Sequence, residues 1–493
     1  MVSYAKRAVK SSILILLMTI ISSFFSYFIR VMMARKLSPA EFGLFYSVFT
    51  FVLFFLFFRD LGIGAALAKY LPEFNIKKRY NDIKTAIFSV FLFQTISSII
   101  FSAVFFFLAD SLAIHYFKNP ASSLMLKILI FYVIFSVFFI NQKNILFGFQ
   151  SMTWFSVSEP LKSFIVFIFL ILFFNMGLNI YAPVLSYVLV CIVLSLLLLV
   201  PTLKTFHFKK YKILKFWPTT SKIFSFGLPV MLTSIGGTVI GYTDTLMLTG
   251  FRSLEEVGIY NVVLPSAIII LTLGSTAARI LLPMTSELWA LKDKKRLTEG
   301  LRLLHRYSFV VTIPFVMAIF SYSSFFINLF FGEEYVSGAL ALQIILIGVL
   351  FYVVATVNNN IISGIGKPKT VTYIIFIAAF ANVLLNLIFI PIYGINGAAV
   401  ATSFSYLLVL ILSTIKVSKY IELNYPFFEW AKLMFSGIVF LLVVHFTDIY
   451  VNLNAWFDMI ISGIIGGVVY LALIYLMHVI DINEIKKYSK ILR

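Results

Sequence analysis

A chain of 493 residues that is 61% hydrophobic, 17% aromatic and only 12% charged, with a mean hydropathy of +1.02, lies far outside the roughly 25% charged fraction of soluble domains. This composition excludes water as the main solvent and predicts an all-α polytopic membrane protein. The formal charge of +19 raises nucleic acid as a partner, and the placement of the charges decides that question.

Apolar runs of about 20 residues match a hydrocarbon core of about 30 Å at about 1.5 Å per residue. They predict helices over Ser11–Met33, Phe42–Ala66, Thr85–Ala109, Ala121–Asn141, Phe155–Phe174 and Ile180–Pro201. A second set follows over Ile223–Gly250, Gly258–Leu282, Tyr307–Phe331, Gly338–Ile362, Thr370–Pro391 and Ile395–Lys416, and a final pair over Ala431–Thr447 and Trp456–Ile480. The basic-then-apolar start has no small-residue cleavage site and reads as a retained first helix. The polar stretch Thr202–Lys222, with HFKKYKILKFWPTTSK, is the natural linker between halves and suits an aromatic-basic helix on the membrane surface.

With the N-terminus inside, 31 of the 39 basic residues fall in inner segments and five (Arg35, Lys36, Lys118, Lys127, Arg252) in outer ones. That alternation supports about 14 spans with both termini cytoplasmic. It also accounts for the basic balance through anionic headgroups, without nucleic acid. The lone cysteine, Cys191, excludes a disulfide frame or a thiolate metal site.

Sliding the chain against itself by 215 to 217 residues aligns ARKLSPAEFGLFYSV from Ala34 with TGFRSLEEVGIYNVV from Thr249, placing Glu41 on Glu256 and Gly43 on Gly258. QKNILFG from Gln142 falls on NNNIISG from Asn358, and Gly177 on Gly394. A six-helix repeat inserts both copies in one orientation, so two pseudo-symmetric lobes are expected with substrate between them. The divisions are 1–203 for the N-lobe, 204–222 for the basic linker, 223–416 for the C-lobe, and 417–493 for two further helices and a tail.

Charges inside spans cost at least about 2.5 to 3.5 kcal/mol and face a bundle interior or wet cavity. Arg30, about 29 Å along the first helix, and Asp244, at the matching level of the seventh, either latch the outer side or snorkel and neutralise neighbours. Asp244 is the preferred coupling or gating acid. Arg59, Asp60 and Arg279 lie in the inner half. They either line an inward-open mouth, where guanidinium forks suit phosphate, or serve as a structural Arg59–Asp60 pair and a snorkelling Arg279. Asn141, Gln142, Lys143 and Asn144, with Asn358, Asn359 and Asn360, form repeated patches that either bind sugar hydroxyls or phosphate, or cap and join helices. Pro229, Gly236, Gly237 and Gly241 predict a bend before Asp244. Glu255–Glu256 and Glu333–Glu334 read as solvated turns. No GxxxxGKS, HExxH or GxSxG signature is present.

ARKLSPAEFGLF, DLGIGAALAKYLPE from Asp60, DTLMLTGFRSLEEVGIYNVV from Asp244, GIGKPK from Gly364 and IPIYGINGAAVATSFSYLL from Ile390 together resemble the polysaccharide transporter flippases. These are the O-antigen-type branch of the multidrug/oligosaccharidyl-lipid/polysaccharide flippase superfamily. The resemblance covers essentially the whole chain. It implies a V-shaped pair of lobes that carries a polyprenyl-diphosphate-linked oligosaccharide outward across the cytoplasmic membrane by alternating access, coupled to H+ or Na+ and without a cofactor. Arg30, Arg59 and Arg279 take the diphosphate by this resemblance, and the last two helices shelter the lipid tail. Membrane lipids and glycan assembly machinery are the further expected partners. A drug or cation antiporter of the same superfamily is the alternative, although three Arg against two Asp within the spans argues against an acidic cavity. A membrane-embedded glycosyltransferase or polymerase is the competing enzyme class, and the short outer loops argue against it.

Overall fold

The computed structural model describes residues 4–423, 425–451 and 455–479; the side chains of 4–10, 12, 272–284, 448–451, 455–456 and 459 lie outside that description. The chain is 89% helical, with no strand among the described residues. In order the helices are α1 Tyr4–Lys36, α2 Pro39–Asp60, α3 Ile63–Ile76, α4 Tyr80–His115, α5 Ala121–Gly148, α6 Met152–Asn175, α7 Tyr181–Thr205 and α8 Phe216–Phe251. They continue with α9 Leu254–Ala290, α10 Lys294–Ser321, α11 Ser323–Phe330, α12 Ala339–Gly364, α13 Pro368–Val417, α14 Phe427–Val451 and α15 Ala455–Leu476. Helices satisfy every backbone group internally, which lipid demands of a spanning segment.

Twelve of the described helices are long and apolar enough to cross a membrane. The longest, α13, leaves helical geometry at Gly394 (φ 55°, ψ −130°), so it supplies two segments, as the sequence predicts. The shorter apolar stretch Ile460–Leu476 completes the fourteen expected. By packing, the chain forms two compact units, Met1–Asn261 and Val262–Arg493.

In the first unit α5 lies against α2, α3, α4, α6 and α7, while α8 packs on α2, α3 and α4. Local signals fix the entry to α2. Ser38 Oγ accepts from the Glu41 backbone N–H at 3.3 Å and Glu41 accepts from the Ser38 N–H at 3.0 Å, a capping box that stabilises a helix start by about 1 kcal/mol. The repeat reproduces it at α9, where Ser253 Oγ accepts from the Glu256 N–H at 3.2 Å. Gly43 and Gly258, aligned by the repeat, also meet: a Cβ on Gly43 would stand 1.8 Å from the Leu254 carbonyl, and one on Gly258 2.1 Å from that of Pro39.

Two expectations are corrected. The second span does not continue to Ala66. It ends at Asp60, where Leu61 (φ 51°) and Gly62 (φ 66°) turn left-handed. A Cβ at Gly62 would lie 2.1 Å from the Gly227 carbonyl of α8, so close backbone approach makes the break, and hydropathy does not register that. The linker forms no surface helix beyond one turn at Phe208–Lys210. Phe206 is 4% exposed and packs with Tyr211 and Phe208 on the α3, α4 and α8 cluster around Tyr70, Phe74 and Ile87, while Lys84 donates to the Tyr211 carbonyl at 2.7 Å. α8 runs as one helix from Phe216 to Phe251, with Pro229 inside it.

In the second unit α12 packs closely on α13, and α10 packs on α12, α14 and α15.

Candidate functional site

In the first unit, α5, α6 and α7 enclose a cavity of about 420 Å³ lined by Tyr132, Lys143, Asn144, Glu159, Lys162 and Cys191 among others. Lys143 and Asn144, both singled out by the sequence, stand on its wall. Lys143 forms an ion pair with Glu159, and its ammonium also lies 5.5 Å from the Phe155 ring. Glu159 and Lys162 are not among the residues that the sequence singles out. The available signal was an acid and a base three residues apart around Pro160, one turn apart on an otherwise apolar helix.

Next to this cavity, Arg59 is 1% exposed. Its Nη1 donates to the Val133 carbonyl at 2.9 Å and to Ser136 Oγ at 2.8 Å. Asp60 accepts from Gln94 Nε2 at 2.5 Å, and Gln94 in turn accepts from Asn141 Nδ2 at 2.7 Å. Gly64 allows this arrangement, since a Cβ there would stand 2.7 Å from Asn144 Nδ2 and 3.0 Å from Asp60 Oδ1. Gln142, one residue on from Asn141, turns to α7 and donates to the Ser195 carbonyl at 2.9 Å.

Arg30 and Asp244, by sequence either a latch or two separately neutralised charges, are each held by a residue of α9. Arg30 donates from Nη1 to the Asn261 carbonyl and covers the Tyr46 ring at 4.2 Å. Asp244 is 1% exposed and accepts from the Tyr260 hydroxyl at 2.5 Å. The Arg279 side chain lies outside the described residues.

In the second unit, Asn358 is fully buried at the centre of a polar cluster. Its amide nitrogen is 3.2 Å from Ser413 Oγ, 3.2 Å from Thr414 Oγ1 and 3.1 Å from the Tyr425 hydroxyl. Those contacts make its oxygen the acceptor, so His305 Nε2, at 3.0 Å, carries the proton. Asn360 bonds to the Thr356 carbonyl of its own helix at 3.0 Å. An apolar cavity of about 570 Å³ lies beside α14, lined by Phe309, Met317, Phe351, Trp430, Met434 and Leu441 among others. No local pattern marks His305 or Tyr425, which come together where α10 packs on α12 and on α14, with Tyr425 in the segment leading into α14.

The chain matches the family described as polysaccharide biosynthesis protein over residues 8–289, and MatE over residues 229–388. It is 30% identical to an uncharacterized membrane protein of Methanocaldococcus jannaschii, covering 100% of both chains. It is 22% identical over 249 residues to a probable low-salt glycan biosynthesis flippase of Haloferax volcanii, covering 50% of this chain and 52% of the relative. Among solved structures, the lipid II flippase MurJ in an inward closed conformation superposes with a TM-score of 0.77 at 18% identity, over 98% of this chain and 100% of that one. A polytopic helical chain with this repeat, this family match and this fold belongs to the polysaccharide biosynthesis protein family, within the flippase superfamily that the motifs resemble.

Proposed function

We propose that this multi-pass membrane protein translocates a polyprenyl-diphosphate-linked oligosaccharide from the inner to the outer leaflet of the cytoplasmic membrane, and that it moves its substrate without transforming it. The observation that carries the reading is the agreement between the family match over residues 8–289 and a full-length fold shared with a lipid II flippase. A relative named as a glycan biosynthesis flippase points to the same substrate class. Membrane lipids and glycan assembly machinery are its partners in this reading.

Within the first unit, Arg30 suits the diphosphate better than Arg59. Arg59 is enclosed among protein acceptors, whereas Arg30 is partly exposed and has guanidinium N–H groups beyond the one that meets Asn261. Arg279 is the third arginine of this reading, and Asn360, partly exposed, is its amide toward sugar in preference to Gln142 and Asn358, which are enclosed, and to Asn144, which lines the smaller cavity. The apolar cavity beside α14 has the chemistry to shelter a lipid tail. An H+ or Na+ gradient drives the cycle, with Asp244 the acid that senses it and Asp60 the second carboxylate of the first unit.

The test reconstitutes the full chain in liposomes with a fluorescent polyprenyl-diphosphate oligosaccharide and follows its movement between leaflets, with and without an ion gradient. Protein-dependent transfer that the gradient accelerates is expected, and Arg30→Ala should reduce it at least about tenfold, the effect of losing one good charge-assisted interaction. Absence of transfer, together with gradient-driven efflux of a cationic dye, would establish the antiporter reading that the MatE match favours.

A further inference from the structure

The cavity of the first unit is unbalanced in a way that transport of a glycan does not explain. Its wall carries two ammonium groups, Lys143 and Lys162, against one carboxylate, Glu159. Glu159 is engaged by Lys143. No carboxylate of the described residues comes within 4.0 Å of Lys162 Nζ; Glu159 acts on it only through space, and the Phe139 ring lies 5.8 Å away. Lys162 sits about 15 Å along α6 from its start at Met152, midway through a span, where a charge costs at least about 2.5 to 3.5 kcal/mol, and the one nearby carboxylate is shared with Lys143.

The same wall presents donors without acceptors. Among the described residues, the Tyr132 hydroxyl and the Asn144 amide nitrogen have no hydrogen-bond partner, although both residues line the cavity. Ser136 is already committed, accepting from Arg59 and donating to the Val133 carbonyl at 3.0 Å, so it anchors the wall. At about 420 Å³, against about 30 Å³ for a water in the liquid, the space admits an ion with several waters and is too small for an oligosaccharide head. We propose that this cavity is a binding site for one small monovalent inorganic anion, held by Lys162 with Tyr132 and Asn144, while Glu159 binds Lys143 and keeps the net charge of the site at one positive unit.

This inference is independent of what the protein carries, and its test does not use transport. The full chain, purified in detergent, is titrated with sodium chloride against sodium gluconate at constant ionic strength. Thermal unfolding and the chloride-35 NMR linewidth are followed. Saturable stabilisation and line broadening by chloride are expected. Lys162→Gln should abolish both. Tyr132→Phe, which keeps the ring and its packing, should weaken binding about tenfold, the loss of one hydrogen bond to an ion, and so tests the site even if Lys162→Gln fails to fold. Glu159→Gln should tighten it by removing the competing negative charge. Chloride and gluconate acting alike on the wild-type protein, or the same saturable chloride effect in Tyr132→Phe as in the wild type, would overturn the proposal.

Discussion

Arg59 shows what a guanidinium needs inside an apolar bundle. Its hydrogen bonds among the described residues go to α5, one to the Val133 carbonyl and one to Ser136 Oγ, so the charge ties α2 to α5. Removing it takes away the donor to Ser136 Oγ and opens a space in a buried wall, which together cost about 2 to 4 kcal/mol. Arg59→Ala is therefore expected to lower the unfolding temperature of the purified protein by several degrees, read by thermal unfolding in detergent. An unchanged midpoint would return Arg59 to the pool of free phosphate ligands. Outside the spans, Lys77 and Lys222 hold the Glu73 carboxyl below its usual range. A depressed folded-state value stabilises the fold above the ordinary carboxylate range, about pH 4.3, and that contribution disappears as pH falls through the folded-state value. Glu73→Gln should thus lower the melting temperature slightly at neutral pH and not at all in strong acid. The positions of the charges were legible in the sequence because ionisable residues stand out in apolar runs. Their roles were not, because the Val133 carbonyl that claims Arg59, and the Gln94 that claims Asp60, sit on other helices at sequence separations that no local pattern encodes.

Helix ends and helix contacts carry the internal repeat further than the spans do. The Ser38–Glu41 box and its counterpart at Ser253–Glu256 start α2 and α9 by the same chemistry, and the glycines one turn on, Gly43 and Gly258, let the two starts approach within a distance no side chain tolerates. Gly43→Ala and Gly258→Ala should each lower the melting temperature markedly. The double variant should cost less than the sum, because both act on one contact. Gly300→Ala is the control: it lies within α10 with nothing within 4 Å of the added methyl, so helix propensity alone should stabilise by about 0.5 to 1 kcal/mol. Sequence reasoning could align these glycines but not foresee that they touch. It likewise read Phe42–Ala66 as continuous, since the Gly62 turn arises from the Gly227 backbone on α8, which lies far along the chain. The linker departs from its expected surface helix for a related reason. Its aromatic and basic composition suits a membrane surface, yet Phe206 and Tyr211 found a protein core to fill.

At the scale of the molecule, the apolar helical segments of the described residues and the excess of inner over outer basic residues make one testable statement about sidedness. Cys191 is the only cysteine and is 1% exposed, so Cys191→Ala gives a background in which any added thiol reports alone. Three crossings separate Lys118 from Lys209, two separate Lys209 from Lys295, and one separates Lys295 from Glu334, and all four residues are exposed. In intact cells, Lys118→Cys and Glu334→Cys should react with a membrane-impermeant maleimide, whereas Lys209→Cys and Lys295→Cys should react only after the membrane is opened. The pairing matters more than any single result. Lys118→Cys and Lys209→Cys reporting the same side would mean that one of α5, α6 and α7 does not cross. All four reporting reversed sides would keep every span and invert the protein, and an outward-moving flippase would then have its basic loops facing away from the compartment in which lipid-linked precursors are assembled.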